Sequence, residues 1–168
     1  DRPDDEYPDI RVILVQTLVY ACEQVYNRER ESIHALDNSL SKKHWKVFQR
    51  LRQLLYALYP NDQTLPWIRE LILGHDDYAK KEHHYEFQMM IRNACEHFGP
   101  RLLSEEEQKK IVDDILSGPS KKDFREWAGD SYSDEVFLQR QSRFHRKQLR
   151  PFATLLNGKI KEYFNELE

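Results

Sequence analysis

The chain has 168 residues, of which 39% are apolar and 33% are charged, so it is long and apolar enough to bury a core. Five glycines and seven prolines are too few for a turn-rich all-β fold, and two cysteines, Cys22 and Cys95, exclude a disulfide framework. The formal net charge of −3 provides no overall basic field that would attract nucleic acid.

The apolar runs indicate no membrane segment. The longest, residues 12–22, contains Gln16 and Thr17 and is shorter than the roughly 20 residues of a membrane span. The first residues are acidic and contain no apolar signal-peptide core. We therefore expect a cytoplasmic protein. The absence of an initiating Met, and a helical pattern that continues to Glu168, predict a piece of a longer polypeptide.

The first half predicts helices. A frayed acidic tip over residues 1–7 precedes a single helical domain over residues 8–168. Apolar residues recur at helical spacing over 8–30, 41–59 and 64–74, whereas the weaker pattern over 28–41 predicts a loop with one helical turn. The 41–59 helix carries basic residues on its polar sides, and Trp45, Trp67 and Trp127 are expected to pack in the core.

The second half predicts helices over 83–98, 104–117, 133–150 and 160–167, and a short helix after Ser120. Ser104 and Glu107 form a capping-box pattern, and Ser133 is a predicted N-cap. The fold class is therefore all-α: seven or eight short antiparallel helices forming either a HEAT-like α-solenoid or an irregular helical bundle.

The segment from Arg92 to His97 fits R-N-x-x-x-H, the signature of HEPN ribonucleases. The resemblance implies that Arg92, Asn93 and His97 act on an RNA phosphate without a metal. Arginine keeps its charge and histidine titrates near neutral pH, which suits this chemistry. On a helix, Arg92 and His97 lie about 140° apart, so they could instead border a buried face.

One further group carries candidate ligands. His75, Asp76, Asp77, His83 and His84 are close in sequence, but adjacent histidines diverge on a helix and no zinc motif is present, so we expect no metal. No phosphate-binding glycine loop occurs, so we expect no cofactor.

A basic run on the 133–150 helix is the candidate partner-contact surface. Arg143, Arg146, Lys147 and Arg150 share one helical face. This face could bind an acidic partner, or it could pair with acidic residues of the 104–117 helix.

The order of motifs in the second half resembles a known family. The chain reads His84-Tyr85-Glu86-Phe87, His97-Phe98-Gly99, Leu103-Ser104-Glu105-Glu106-Glu107-Gln108, Gly118-Pro119, an arginine-rich stretch over 143–151 and a tail over 161–167. This order is similar to the helical region of large bacterial STAND-type ATPases, the NLR-like group that includes the Avs anti-phage proteins. The resemblance covers about residues 75–168, and Ser117 departs from an acidic residue that is common there.

The resemblance implies a non-enzymatic scaffold or ligand-sensing segment of an antiviral defence ATPase, whose nucleotide site and effector lie elsewhere. Expected partners are other domains of the same polypeptide, a phage or host protein, and further copies through the longer protein. Nucleic acid and membranes are not expected partners. The alternatives are the HEPN-type ribonuclease and a free-standing helical adaptor that binds a partner helix in a groove.

Overall fold

The computed structural model describes residues 10–29, 32–75, 78–79, 83–122, 124 and 133–168. Over these ranges the chain forms eight α-helices and no strand, which confirms the all-α prediction. The acidic tip, Asp76, Asp77, Trp127 and most of the short helix predicted after Ser120 lie outside the described residues. No helix in the described ranges has both the length and the apolar character needed to cross a membrane.

The helices are between 9 and 19 residues long. Their bounds are α1 Ile10–Arg28, α2 Ile33–Ser41, α3 Lys46–Leu58, α4 Leu65–Leu73, α5 Tyr85–Phe98, α6 Glu105–Ser117, α7 Asp134–Leu149 and α8 Gly158–Leu167. Two 3₁₀ turns cover Gly99–Arg101 and Arg150–Phe152.

Two predictions in the first half are corrected. The loop predicted over residues 28–41 is wrong, because α2 occupies most of it. Ile33 and Leu40 are buried there, and their seven-residue spacing places both on one helical face. Helix α3 begins at Lys46, five residues later than predicted.

The chain divides into two compact units, residues 1–55 and 56–168. We describe each by itself, and a single domain over residues 8–168 remains a prediction. In the first unit, the buried residues include Ile33, Leu51 and Leu55. An ion pair joins α2 to α3, with Arg52 Nε 2.7 Å from Asp37 Oδ1.

The second unit is built around α5. The predicted apolar face of this helix is buried in full, as Phe87, Met90, Ile91, Ala94 and Phe98. Helix α5 contacts α4 and both 3₁₀ turns, while α7 contacts α6 and α8. A solenoid repeat contacts only its sequence neighbours, whereas the turn over 150–152 returns to α5. This unit is therefore an irregular bundle.

The start of α6 is fixed by side chains. The Ser104 hydroxyl accepts from the Glu107 N–H, and the Glu107 carboxylate accepts from the Ser104 N–H at 2.8 Å, which confirms the capping box. Arg69 on α4 binds the same carboxylate at 2.8 Å and also donates to the Leu102 carbonyl. The Ser104 N–H, and after it Arg69, hold the pKa of Glu107 below its usual value.

Gly118 lies where two backbone segments approach each other. A β-carbon at this position would be 1.9 Å from the Ala79 carbonyl oxygen, which is far inside van der Waals contact. The Gly118 backbone is extended (φ −117°), so the close approach and not the dihedral angle demands glycine.

His145 connects the Gly118 carbonyl to α8 inside this unit. Its Nε2 lies 2.8 Å from the Gly118 oxygen, and its Nδ1 lies 2.8 Å from the Tyr163 hydroxyl. Because a carbonyl can only accept, Nε2 carries the proton and Nδ1 accepts from Tyr163. Burial lowers the pKa of His145, which favours this neutral form.

We expect His145→Leu to lower the free energy of unfolding by about 2 kcal/mol, because the Gly118 carbonyl loses its donor. Tyr163→Phe removes one hydrogen bond from the same ring and should cost about 1 kcal/mol. Urea denaturation followed by circular dichroism measures both. Parent-like stability of the His145 variant would contradict the structural role.

Candidate partner-binding surface

The predicted basic face of α7 is exposed along its length. Arg143, Arg146, Lys147 and Arg150 are all exposed. Over the described residues, no carboxylate lies within ion-pair distance of Arg143, Arg146 or Arg150. At the acidic start of α6, Glu107 pairs with Arg69 of α4. Within the described residues, pairing with α6 is therefore not observed for Arg143, Arg146 or Arg150.

Two of these arginines border a groove next to the end of α8. Leu138, Ser142, Arg143, Arg146 and Leu167 line it, with Glu135 at one end, and its volume is about 530 Å³. Arg146 donates to the Leu167 carbonyl at 3.4 Å. Leu138 is 56% exposed, which places an apolar side chain beside two cations. We call this surface the α7 groove. The α7 groove therefore contains both an exposed apolar side chain, Leu138, and two cationic side chains, Arg143 and Arg146.

The R-N-x-x-x-H residues of α5 differ in their exposure and in their contacts. Arg92 and His97 are exposed, but Asn93 donates to the Ala57 carbonyl at 2.8 Å and so anchors α5 to the end of α3. Arg92 lines a small cavity with Arg150, and the His97 ring packs edge-on against Phe98. Arg92 Nε also donates a long hydrogen bond to Asn93 Oδ1 at 3.5 Å. The structure thus gives Asn93 a packing role, while the side chains of Arg92 and His97 are exposed.

The histidines considered as metal ligands lie in an aromatic cluster. The rings of His75 and His83 have centroids 4.6 Å apart, and both contact Tyr78 and Phe87. His84 is exposed at the start of α5. In the ranges that the structure describes, no three potential ligands converge on one point. Asp76 and Asp77 lie outside those ranges.

An apolar groove runs along α6. Its lining is largely aliphatic, its rim carries Glu105, Lys109 and Asp113, and its volume is about 560 Å³. The aliphatic and aromatic lining residues are Leu103, Ile111, Val112, Phe152, Leu155, Leu156 and Ile160. The free-standing adaptor hypothesis would use this surface.

The sequence indicates the arginines of the α7 groove but not its apolar part. Leu138 is 56% exposed, and this exposure is a property of the fold that its neighbours in sequence do not indicate. The five residues on each side of Leu138 include two arginines and two acidic residues, so the local sequence does not indicate an exposed leucine beside cations.

The comparisons with known proteins add no relative from which a role could be transferred. No family model, curated protein or solved structure matches this chain.

Proposed function

We propose that the chain is a non-enzymatic helical segment of a large bacterial STAND-type defence ATPase, acting as a scaffold or ligand sensor. It binds a protein partner on its surface and passes the resulting shift to other domains through packed helices. The partner is another domain of the same polypeptide, or a phage or host protein. A reducing cytoplasm belongs to this proposal, and both cysteines are buried free thiols.

The observation that carries the partner contact is the α7 groove. Its arginines have no carboxylate partner within the described ranges, and Leu138 is exposed between them and the helix start. Charge complementarity favours an acidic amphipathic helix, whose carboxylates would pair with Arg143 and Arg146 while an apolar residue covers Leu138. Membership of the ATPase group is supported by the order of motifs over residues 75–168.

A charge-reversal variant tests the contact. In cells that express the full encoded protein, we expect Arg143→Glu with Arg146→Glu to abolish protection against a susceptible phage, at unchanged protein level. Lys159→Glu with Lys161→Glu, two exposed lysines of α8, is the matched control and should protect like the parent. Equal protection by both double variants would contradict the α7 groove as the contact. A gene without a nucleotide-binding module would contradict the ATPase assignment.

The HEPN-type ribonuclease is a second candidate, favoured by the exposure of Arg92 and His97 on one helix. It requires RNA cleavage that persists in a chelator and that His97→Ala abolishes. A parent protein that cleaves no RNA, or a His97→Ala variant that cleaves as fast, rules it out.

A further inference from the structure

A basic surface around one tryptophan lies between α2 and α3 in the first unit. Lys42, Lys43, His44, Trp45 and Lys46 are all exposed. Trp45 is 73% exposed, so the prediction that it packs in the core is wrong. We call these five residues the Trp45 patch. A tryptophan in this position exposes a large aromatic surface to solvent, and tryptophan is enriched at binding interfaces.

The sequence around Trp45 carries positive charge only, although the whole chain has a net negative charge. No Asp or Glu occurs between Asp37 and Asp62. That interval carries five cationic side chains, Lys42, Lys43, Lys46, Arg50 and Arg52. Arg52 is paired with Asp37, whereas no carboxylate among the described residues lies within ion-pair distance of Lys42, Lys43 or Lys46. The net charge of −3 therefore conceals a local positive field.

We propose that the Trp45 patch binds single-stranded nucleic acid. Trp45 stacks on one unpaired base, and Lys42, Lys43 and Lys46 contact the adjacent phosphates. An exposed aromatic ring surrounded by lysines is the combination that sequence-tolerant single-strand binding requires. This inference goes beyond the proposed function and uses none of the residues of the α7 groove.

The structure favours a nucleic acid over an anionic membrane as the polyanion. A helix that binds a membrane surface needs a continuous apolar face to insert. Helix α3 already uses its apolar face, because Leu51 and Leu55 are buried and Val47 and Phe48 are half-buried. Trp45 would then enter the lipid alone, whereas one ring is sufficient to stack on one base.

Fluorescence anisotropy of the full chain with a labelled oligo(dT) of about 15 nucleotides, within the usual range of single-strand site sizes, tests the proposal. We expect saturable binding at low salt that quenches tryptophan emission. The logarithm of the binding constant should fall with the logarithm of salt concentration with a slope of about −2, as expected for three phosphate contacts. Trp45→Ala should weaken binding about tenfold, the typical loss on removing one stacked base.

Matched variants distinguish binding at the Trp45 patch from non-specific binding of oligo(dT) elsewhere on the protein. Tyr85→Ala removes an equally accessible ring, 70% exposed, from α5 and should leave binding unchanged. Lys42→Gln, Lys43→Gln and Lys46→Gln together should remove most of the salt dependence, whereas Lys159→Gln with Lys161→Gln should not. Unchanged thermal midpoints show that the Trp45 variant is folded.

Four results would overturn the proposal. The first is the absence of saturable oligo(dT) binding at low salt, and the second is an equal loss of oligo(dT) affinity in the Trp45 and Tyr85 variants. The third is binding to anionic phospholipid vesicles without binding to oligo(dT). Tighter binding of the duplex than of the single strand would also contradict it, because paired bases offer no free face for stacking.

Discussion

Acidification from about pH 7 to about pH 4 should destabilise the second unit through His83 by about 3 kcal/mol. His83 is 9% exposed, and its Nε2 has no hydrogen-bond partner in the structure. Burial, and then the neighbouring His75 and His84, lower the pKa of His83 from 6.5 to about 4. Between these values the unfolded chain binds a proton that the folded chain excludes. Stability is therefore fully present above pH 6.5 and falls as the pH drops toward 4.

Other groups also titrate between pH 7 and pH 4, so the contribution of His83 is measured as a difference in stability between the parent and a variant that lacks this histidine. Denaturant unfolding of the parent and of His83→Phe is compared at several pH values between about 7 and 4. The phenylalanine keeps a ring among Tyr78, His75 and Phe87 but cannot take up a proton. We expect the stability of the variant to fall less steeply below pH 6.5 and the difference between the two proteins to become constant above it. Parallel pH profiles would show that His83 is not the acid-sensitive group.

Replacing Arg69 by Met should lower the free energy of unfolding of the second unit by about 3 kcal/mol. Met retains the aliphatic stem but loses both guanidinium contacts. The larger part of the loss comes from Leu102, which is fully buried and whose carbonyl would lose the Arg69 donor. The smaller part is the partly exposed ion pair with Glu107.

Glu107→Gln measures the contribution of the ion pair between Arg69 and Glu107 by itself. It removes the charge but keeps a side-chain oxygen that can accept from the Ser104 N–H, so we expect a cost of about 1 kcal/mol or less. Chemical denaturation of both variants at neutral pH gives the comparison. If Glu107→Gln costs as much as Arg69→Met, the ion pair and not the Leu102 carbonyl dominates.

Features encoded within a few residues were predictable. The capping box of Ser104 and Glu107, the Ser133 cap and the apolar face of α5 all follow from local spacing. Helix α2 was missed because it buries few apolar residues. The contact from Arg69 to Glu107 spans 38 positions, and nothing in the sequence near either residue indicates the other.

In the candidate surfaces, too, the local sequence predicts some features, whereas others depend on tertiary structure. The sequence shows the cations of α7, but the exposure of Leu138 is a tertiary property. Trp45 was assigned to the core because aromatic residues usually pack there, and its exposure is a tertiary property. Asn93 matches the residue type of the ribonuclease motif, yet its side-chain amide donates a hydrogen bond to the Ala57 carbonyl, 36 positions away.

The close approach at Gly118 limits how this sequence can vary. The carbonyl of Ala79 occupies the space that any other side chain would need, and the Gly118 carbonyl itself is held by His145. Saturation mutagenesis of the whole chain should therefore return glycine alone at position 118, whatever the selected activity. A natural homologue with a larger residue there should differ around position 79 as well, so the two positions would change together during evolution.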